Sequence, residues 1–279
     1  MELTKNAYAK INLSLDLTSV LPNGYHAINT VMAGIDLHDT VTVSSGNGGI
    51  TLSCSEAGVP TDRKNTAYAA AEYFFDETGI SPDAYIRIEK RIPSQSGLGG
   101  GSSDAAATLK MLNEMHGFPL DVEKLLKIAL KTGADVPFMV EGGMALCLNF
   151  GEVLAPLPQF DAFVTVAKPG RGVSTKEAYA RFDGGIKLFH PDNDLVLYHF
   201  ARGEQGEALN HSLNVFEQLC SIPEGKEIKN VMKKNGAYYT SLSGSGSAYF
   251  GLFESKEGAE KAAMELKNSV SFVYSGRLI

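Results

Sequence analysis

Pro93-Ser94-Gln95-Ser96-Gly97-Leu98-Gly99-Gly100-Gly101-Ser102-Ser103-Asp104 decides what this chain can fold into and hold. Before it, from Ala84 to Lys90, Ile86 and Ile88 alternate with charged residues at strand period. After it, Ala105 to Glu114 is dominated by good helix formers, with Leu109 and Leu112 one turn apart. A glycine run between a strand and a helix suits a phosphate group. Glycines let the backbone approach closely, and the helix N-terminus adds unpaired N–H donors and the positive end of its dipole. Ser102 and Ser103 are candidate caps for that helix, and a hydroxyl there can also reach a phosphate or a magnesium ion. Two rival phosphate motifs do not fit: the Lys-Ser/Thr ending of a Walker A loop is missing, and the dinucleotide pattern needs glycine at position 102, where serine stands.

Working outward, Tyr8 to Leu17 alternates with period two, so Ile11, Leu13, Leu15 and Leu17 share one face of a half-buried strand. The other face carries Lys10 and Asn12 side by side. The turn signal Pro22-Asn23-Gly24 leads into Tyr25 and His26. Strands are expected at Thr40 to Ser44 and Gly49 to Cys54, with an Ala-rich helix from about Asn65 to Thr78 between the latter and Ala84. Asp121 to Thr132 reads as a helix capped by Asp121 and ended by Gly133. Pro156 and Pro158 mark a domain boundary, giving domains 1–155 and 156–279. Beyond it, helices are expected around Asn210 to Cys220, Gly225 to Asn235 and Lys256 to Lys267, with a strand at Ala248 to Phe253. Without strict alternation of parallel units, this mixture favours an α+β fold over a doubly wound sheet.

The 279 residues, 44% hydrophobic, suffice for one large core or two ordinary ones. A net charge of -7 offers no global positive field for nucleic acid or an acidic membrane. Cys54, Cys147 and Cys220 lie far apart without metal-ligand spacing, so neither a disulfide scaffold nor a zinc site is expected. The start of the chain lacks the pattern of a secretory signal, and no apolar run approaches the roughly 20 residues that span a bilayer. A cytoplasmic protein without membrane partner is the expectation.

Asp135, in Gly133-Ala134-Asp135-Val136-Pro137-Phe138, follows a predicted helix, at a junction where a carboxylate can face a ligand. Phosphoryl transfer to an alcohol needs positioning, charge neutralisation and an acceptor for the hydroxyl proton. Asp135 is a suitable acceptor, and Lys10 can stabilise charge on the transferring group. Taken singly, a strand lysine is an ordinary surface residue and a loop aspartate an ordinary turn former. A second small-residue run, Ser241 to Ser247, suits close packing on a ligand or on the first glycine loop.

Together these segments resemble the GHMP kinase superfamily, over nearly the whole chain. The resemblance runs through Ala9-Lys10-Ile11-Asn12-Leu13, Asn23-Gly24-Tyr25-His26, the Gly97 to Ala106 loop and Gly133 to Phe138. It continues through Gly172-Val173-Ser174-Thr175, Asn214-Val215-Phe216-Glu217 and Ser243 to Ser247. It implies two α+β domains, an N-terminal one like ribosomal S5 domain 2 and a ferredoxin-like C-terminal one, with the active site in the cleft between them. Within the superfamily the wording is most similar to the branch acting on 4-diphosphocytidyl-2-C-methyl-D-erythritol. That implies transfer of the ATP γ-phosphate to its 2-hydroxyl, with Mg2+ as cofactor. Carried over by position, Lys10 and Asp135 are the catalytic pair, Asn12 and Thr175 hold the erythritol portion, and Tyr25 and His26 hold cytidine. Asn65 and Lys90 fall near adenine, and Pro93, Gly97, Leu98, Gly99, Gly100, Gly101, Ser102 and Ser103 near the rest of ATP, Ser103 also being the candidate metal ligand. Asn149-Phe150-Gly151-Glu152 departs from the family pattern, leaving Phe150 to line the cytosine pocket or to fill core. A kinase of homoserine, mevalonate or a sugar, and a non-catalytic nucleotide-binding protein, stay open beside this reading. So do monomer and homodimer.

Overall fold

β1 (Glu2–Val20) and β2 (His26–Ser44) are the longest strands, and β1 pairs with β2. The computed structural model describes residues 1–20, 26–173, 175–220 and 222–279, so Pro22-Asn23-Gly24, Tyr25 and Ser174 lie outside the described residues. The expected strand forms in β1, and Ile11, Leu13, Leu15 and Leu17 are buried. Lys10, Asn12, Ser14 and Asp16 are buried as well, so the strand is covered on both faces rather than one. Burying polar groups is tolerable when each finds a partner. Asp16, for example, is bonded by His190 at 2.6 Å and Asn193 at 2.8 Å.

Two compact units interleave along the chain. The first comprises Met1–Ala9, Leu37–Ser94 and Gly99–Gly142, the second Lys10–Asp36, Gln95–Leu98 and Gly143–Ile279. The proposed 155/156 boundary falls within the second unit.

In the first unit, the end of β2 pairs antiparallel with β4 (Asp83–Glu89), which pairs parallel with β3 (Gly49–Cys54). Four helices belong to it: α1 (Thr66–Thr78), α2 (Gly100–Met115), α3 (Val122–Thr132) and α4 (Val136–Glu141). Ala67, Ala70 and Ala71 of α1 and Ala105, Ala106 and Ala107 of α2 are buried in one core with Phe74, Ile86 and Leu109. Small side chains let helices approach closely while the larger ones fill the remaining volume. Asp121 caps α3 by accepting from the Lys124 N–H, and Gly133 ends it, as the sequence predicts.

In the second unit, Ile28 to Ala33 of β2 pairs with β5 (Met144–Asn149), which pairs with β6 (Val153–Pro156). A separate four-stranded sheet has the order β10-β7-β9-β8, built from β7 (Phe163–Lys168), β8 (Tyr239–Leu242), β9 (Tyr249–Phe253) and β10 (Phe272–Arg277). Between β7 and β8 come α5 (Thr175–Asp183), α6 (Asn193–Ala201), α7 (Gln205–His211), α8 (Phe216–Leu219) and α9 (Gly225–Lys234); α10 (Lys256–Leu266) joins β9 to β10. β7, α9, β8, β9, α10 and β10 follow the β-α-β-β-α-β order of a ferredoxin-like unit, with α5 to α8 inserted. The single helix expected over Asn210 to Cys220 is broken. α7 stops at His211, and the Asn214 side chain bonds backbone instead, accepting from the Phe216 N–H and donating to the Leu242 and Gly244 carbonyls. Such local competition is why asparagine interrupts helices. Among the described residues no helix is long and apolar enough to cross a membrane.

Candidate active site

α2 begins directly on the glycine run. Its cap is Gly99, in the left-handed conformation at φ 73°, and no side chain caps it. Ser102 and Ser103 therefore lie within the first turn and are not the caps that the sequence suggested. The first backbone donor closing the helix is Ser103, to the Gly99 carbonyl at 2.9 Å. Helix geometry leaves the N–H groups of Gly100, Gly101 and Ser102 without an intrahelical acceptor, and no acidic residue occupies that turn. Such a turn is chemically suited to cradle an anion of phosphate type. Thr66 donates to the Gly101 carbonyl at 2.6 Å and thereby ties the start of α1 to the cradle.

Asn65 caps α1, accepting from the Ala67 N–H at 2.9 Å and donating to the Pro60 carbonyl at 2.8 Å, so both ends of its amide are engaged in structure. Lys90 is buried between the carboxylates of Asp39 and Asp104. Asp135 is half-buried at the start of α4 and makes no capping bond to that helix. Pro93 is likewise half-buried, in the loop ahead of the glycine run.

In the second unit, the sequence placed Lys10 and Asn12 side by side, and the structure joins them. Lys10 Nζ donates to Asn12 Oδ1 at 2.7 Å. The same oxygen accepts the Gly244 N–H at 2.8 Å, while Asn12 Nδ2 donates to Thr30 Oγ1 at 2.8 Å. The Thr30 hydroxyl itself donates to the Ser14 carbonyl at 2.6 Å, which leaves a lone pair facing Asn12. The amide can thus sit only one way round, and Lys10 meets a fixed acceptor. Thr30 escaped the sequence reading because a threonine in a strand is ordinary. Asn12, which the resemblance assigns to the substrate, holds Lys10 through its Oδ1.

The two small-residue runs pack on each other. Ser243 Oγ donates to the Gly97 carbonyl at 3.0 Å, and the Ala248 N–H donates to the Ser96 carbonyl at 3.0 Å. The Lys10 N–H donates to the Leu98 carbonyl at 3.0 Å, completing the junction. Asn214 braces the second run from behind, and Glu217 does so by accepting from the Leu242 N–H at 2.8 Å while paired with Lys229. Gly97 has φ 79°, and a Cβ there would stand 2.0 Å from the Ser243 carbonyl oxygen. Gly97→Ala is therefore expected to destabilise the fold by about 3 kcal/mol, combining a left-handed alanine with overpacking. A urea midpoint unchanged from the parent would contradict this.

His26 stacks on Tyr179 of α5, with ring centroids 4.4 Å apart and planes at 26°. Phe182 meets it edge-on at 5.4 Å, and Asp183 bonds its Nε2 at 2.7 Å. Tyr179 had no sequence signal beyond being an aromatic residue in an amphipathic helix. Thr175 opens α5, and Tyr25 lies outside the described residues. Phe150 is half-buried in the β5–β6 turn, where its N–H donates to Glu152 at 3.0 Å, so it is not a core residue. Among the described residues no group of three or more His, Cys, Asp or Glu can hold a metal. The Ser103 hydroxyl in the first turn of α2 is an oxygen donor of the kind a magnesium ion would take beside phosphate and water.

Two family profiles match the chain: GHMP kinases N terminal domain over residues 65–143 and GHMP kinases C terminal over residues 198–271. A 4-diphosphocytidyl-2-C-methyl-D-erythritol kinase of Clostridium botulinum is 39% identical, covering 98% of this chain and 99% of that protein. One from Caldicellulosiruptor bescii is also 39% identical, covering 94% and 93%. The crystal structure of a 4-(cytidine 5'-diphospho)-2C-methyl-D-erythritol kinase superposes with a TM-score of 0.80 at 33% identity, covering 99% of each chain. A homoserine kinase from Cytophaga hutchinsonii, at TM-score 0.75 and 21% identity over 99% of this chain and 95% of that one, shares the fold. The α+β architecture of two GHMP domains, the glycine cradle and this full-length similarity agree, and the chain belongs to the GHMP kinases, in the family of the 4-diphosphocytidyl-2-C-methyl-D-erythritol kinases.

Proposed function

We propose that this protein transfers the γ-phosphate of ATP to the 2-hydroxyl of 4-diphosphocytidyl-2-C-methyl-D-erythritol, a step in making isoprenoid precursors. The observation that carries this reading is the 39% identity over 98% of the chain to a kinase of that name. The site chemistry supports it. The open first turn of α2, from Gly99 to Ser103, receives the triphosphate. Lys10, aimed by Asn12, neutralises charge that develops on the transferring group. Asp135 accepts the hydroxyl proton or orients the hydroxyl ahead of a loose transition state. Ser103 would be the protein donor to a magnesium ion, which would supply charge neutralisation at the phosphates. The His26 and Tyr179 rings form an aromatic platform of the kind on which a pyrimidine stacks, with Tyr25 and Thr175 assigned to the same substrate by position.

The test is ADP release with ATP and magnesium, comparing the cytidyl substrate with homoserine, mevalonate and galactose. Release with the cytidyl substrate alone is expected. Release with one of the others would keep the phosphate cradle and overturn the substrate, and silence with all four would remove the reaction.

A further inference from the structure

In the first unit the Lys90 side chain is only 7% exposed. It donates to Asp104 Oδ2 at 2.8 Å and to Asp39 Oδ2. Asp39 is itself fully buried, and its other oxygen accepts the backbone N–H groups of Arg91 and Ile92, the latter at 2.8 Å. One lysine thus fastens three pieces of backbone: β2 through Asp39, the chain leaving β4 through its own position, and the start of α2 through Asp104. Asp104 directly follows the turn whose N–H groups form the proposed phosphate cradle. Gly100 lies directly over the ammonium; a Cβ there would stand 3.2 Å from Lys90 Nζ and 3.0 Å from Ile92 Cγ2.

Asp104 holds the strongest indication that this cluster is built for position. Its Oδ1 is buried and has no hydrogen-bond partner. Burial pushes its carboxyl up to about 7, with the Lys90 charge opposing and the Asp39 charge adding to the rise. For Lys90, burial works to lower the pKa, but the two carboxylates outweigh it and hold it above the ordinary lysine range. Two of the ammonium's three donors are so committed, and with the side chain only 7% exposed little of it is open to a purine ring.

We propose that Asp39, Lys90 and Asp104 are positioning residues that set the first turn of α2 for the triphosphate, with Lys90 acting as a strut beneath the cradle and making no contact with adenine. This rests on the ATP-dependent reading above. A strut acts on whatever the cradle holds, so its loss weakens ATP and a bare polyphosphate alike. A lysine that touched the base would affect ATP alone.

The probe is inorganic tripolyphosphate as a competitive inhibitor against ATP, measured beside the ATP KM for Lys90→Met, Asp104→Ala and Asp104→Asn, each first checked for cooperative thermal unfolding. Lys90→Met and Asp104→Ala are expected to raise the ATP KM and the tripolyphosphate Ki by the same factor, about tenfold, while Asp104→Asn, which keeps an acceptor for Lys90, recovers most of it. A raised ATP KM with an unchanged tripolyphosphate Ki would place Lys90 on the base and overturn the strut. Unchanged values for both probes would overturn it as well. If Lys90→Met leaves two buried carboxylates that prevent folding, the contrast between the two Asp104 variants decides. A parent enzyme that binds tripolyphosphate yet turns over no ATP would instead refute the kinase reading and leave the strut standing.

Discussion

Asp135→Asn is expected to lower turnover by about two to four orders of magnitude while ATP binds nearly as before. Asparagine keeps the shape of aspartate and its capacity to accept a hydrogen bond, but it cannot take a proton at neutral pH. Asp135 precedes α4 without capping it through its side chain, and Pro137 sits in the first turn of that helix, where its missing N–H costs nothing. The exchange should therefore leave the helix start intact. Thermal unfolding separates a chemical loss from a folding loss, and direct titration with ATP separates it from a loss of nucleotide affinity. If the variant keeps full turnover, Asp135 plays no part in the reaction. A raised substrate KM with unchanged turnover would make it a binding group.

Lys10→Met should cost about two to three orders of magnitude in turnover, the usual penalty for removing one aimed donor to a developing negative charge. Methionine fills much of the same volume without the charge. Asn12 Oδ1 would lose the lysine but keep the Gly244 N–H at 2.8 Å, and Asn12 Nδ2 would keep Thr30. Asn12 thus keeps a partner at each end of its amide, and thermal unfolding checks that the fold survives the exchange. The expected pattern is a fall in kcat with the KM values of both substrates little changed, because the charge that Lys10 meets grows mainly in the transition state. Full activity in Lys10→Met would remove it from the chemistry. If Lys10 and Asp135 serve one step, the double variant should fall well short of the product of the two single losses.

The helix that starts on the glycine run was legible because its signals are local. A glycine run flanked by strand period and helix formers constrains backbone geometry within a dozen residues, and the structure places α2 on that run. The cap itself was misassigned: serine is the commoner cap, but Gly99 can adopt the left-handed conformation that starts this helix, and so the serines fell into the turn. The α3 ends, Asp121 and Gly133, were legible for the same local reason. By contrast, Lys90 sits near the adenine position by sequence correspondence, yet its ammonium is spent on Asp39 and Asp104, which lie 51 and 14 residues away. No local pattern announces that pairing.

The sequence by itself determined the periodicities that make β1 and α2, the glycine run, the full-length family membership and the residue types that can do phosphoryl transfer. These depend on neighbours along the chain, where backbone geometry and side-chain period act directly. Only the tertiary structure decided which polar groups are free for chemistry and which are consumed in holding the fold. It buried both faces of β1, turned Asn12 onto Lys10 through Thr30 and Gly244, laid Ser243 on Gly97, and closed Asp39 and Asp104 around Lys90. The physical reason is that a buried donor or acceptor must find its partner in space, and that partner can come from any distance along the chain.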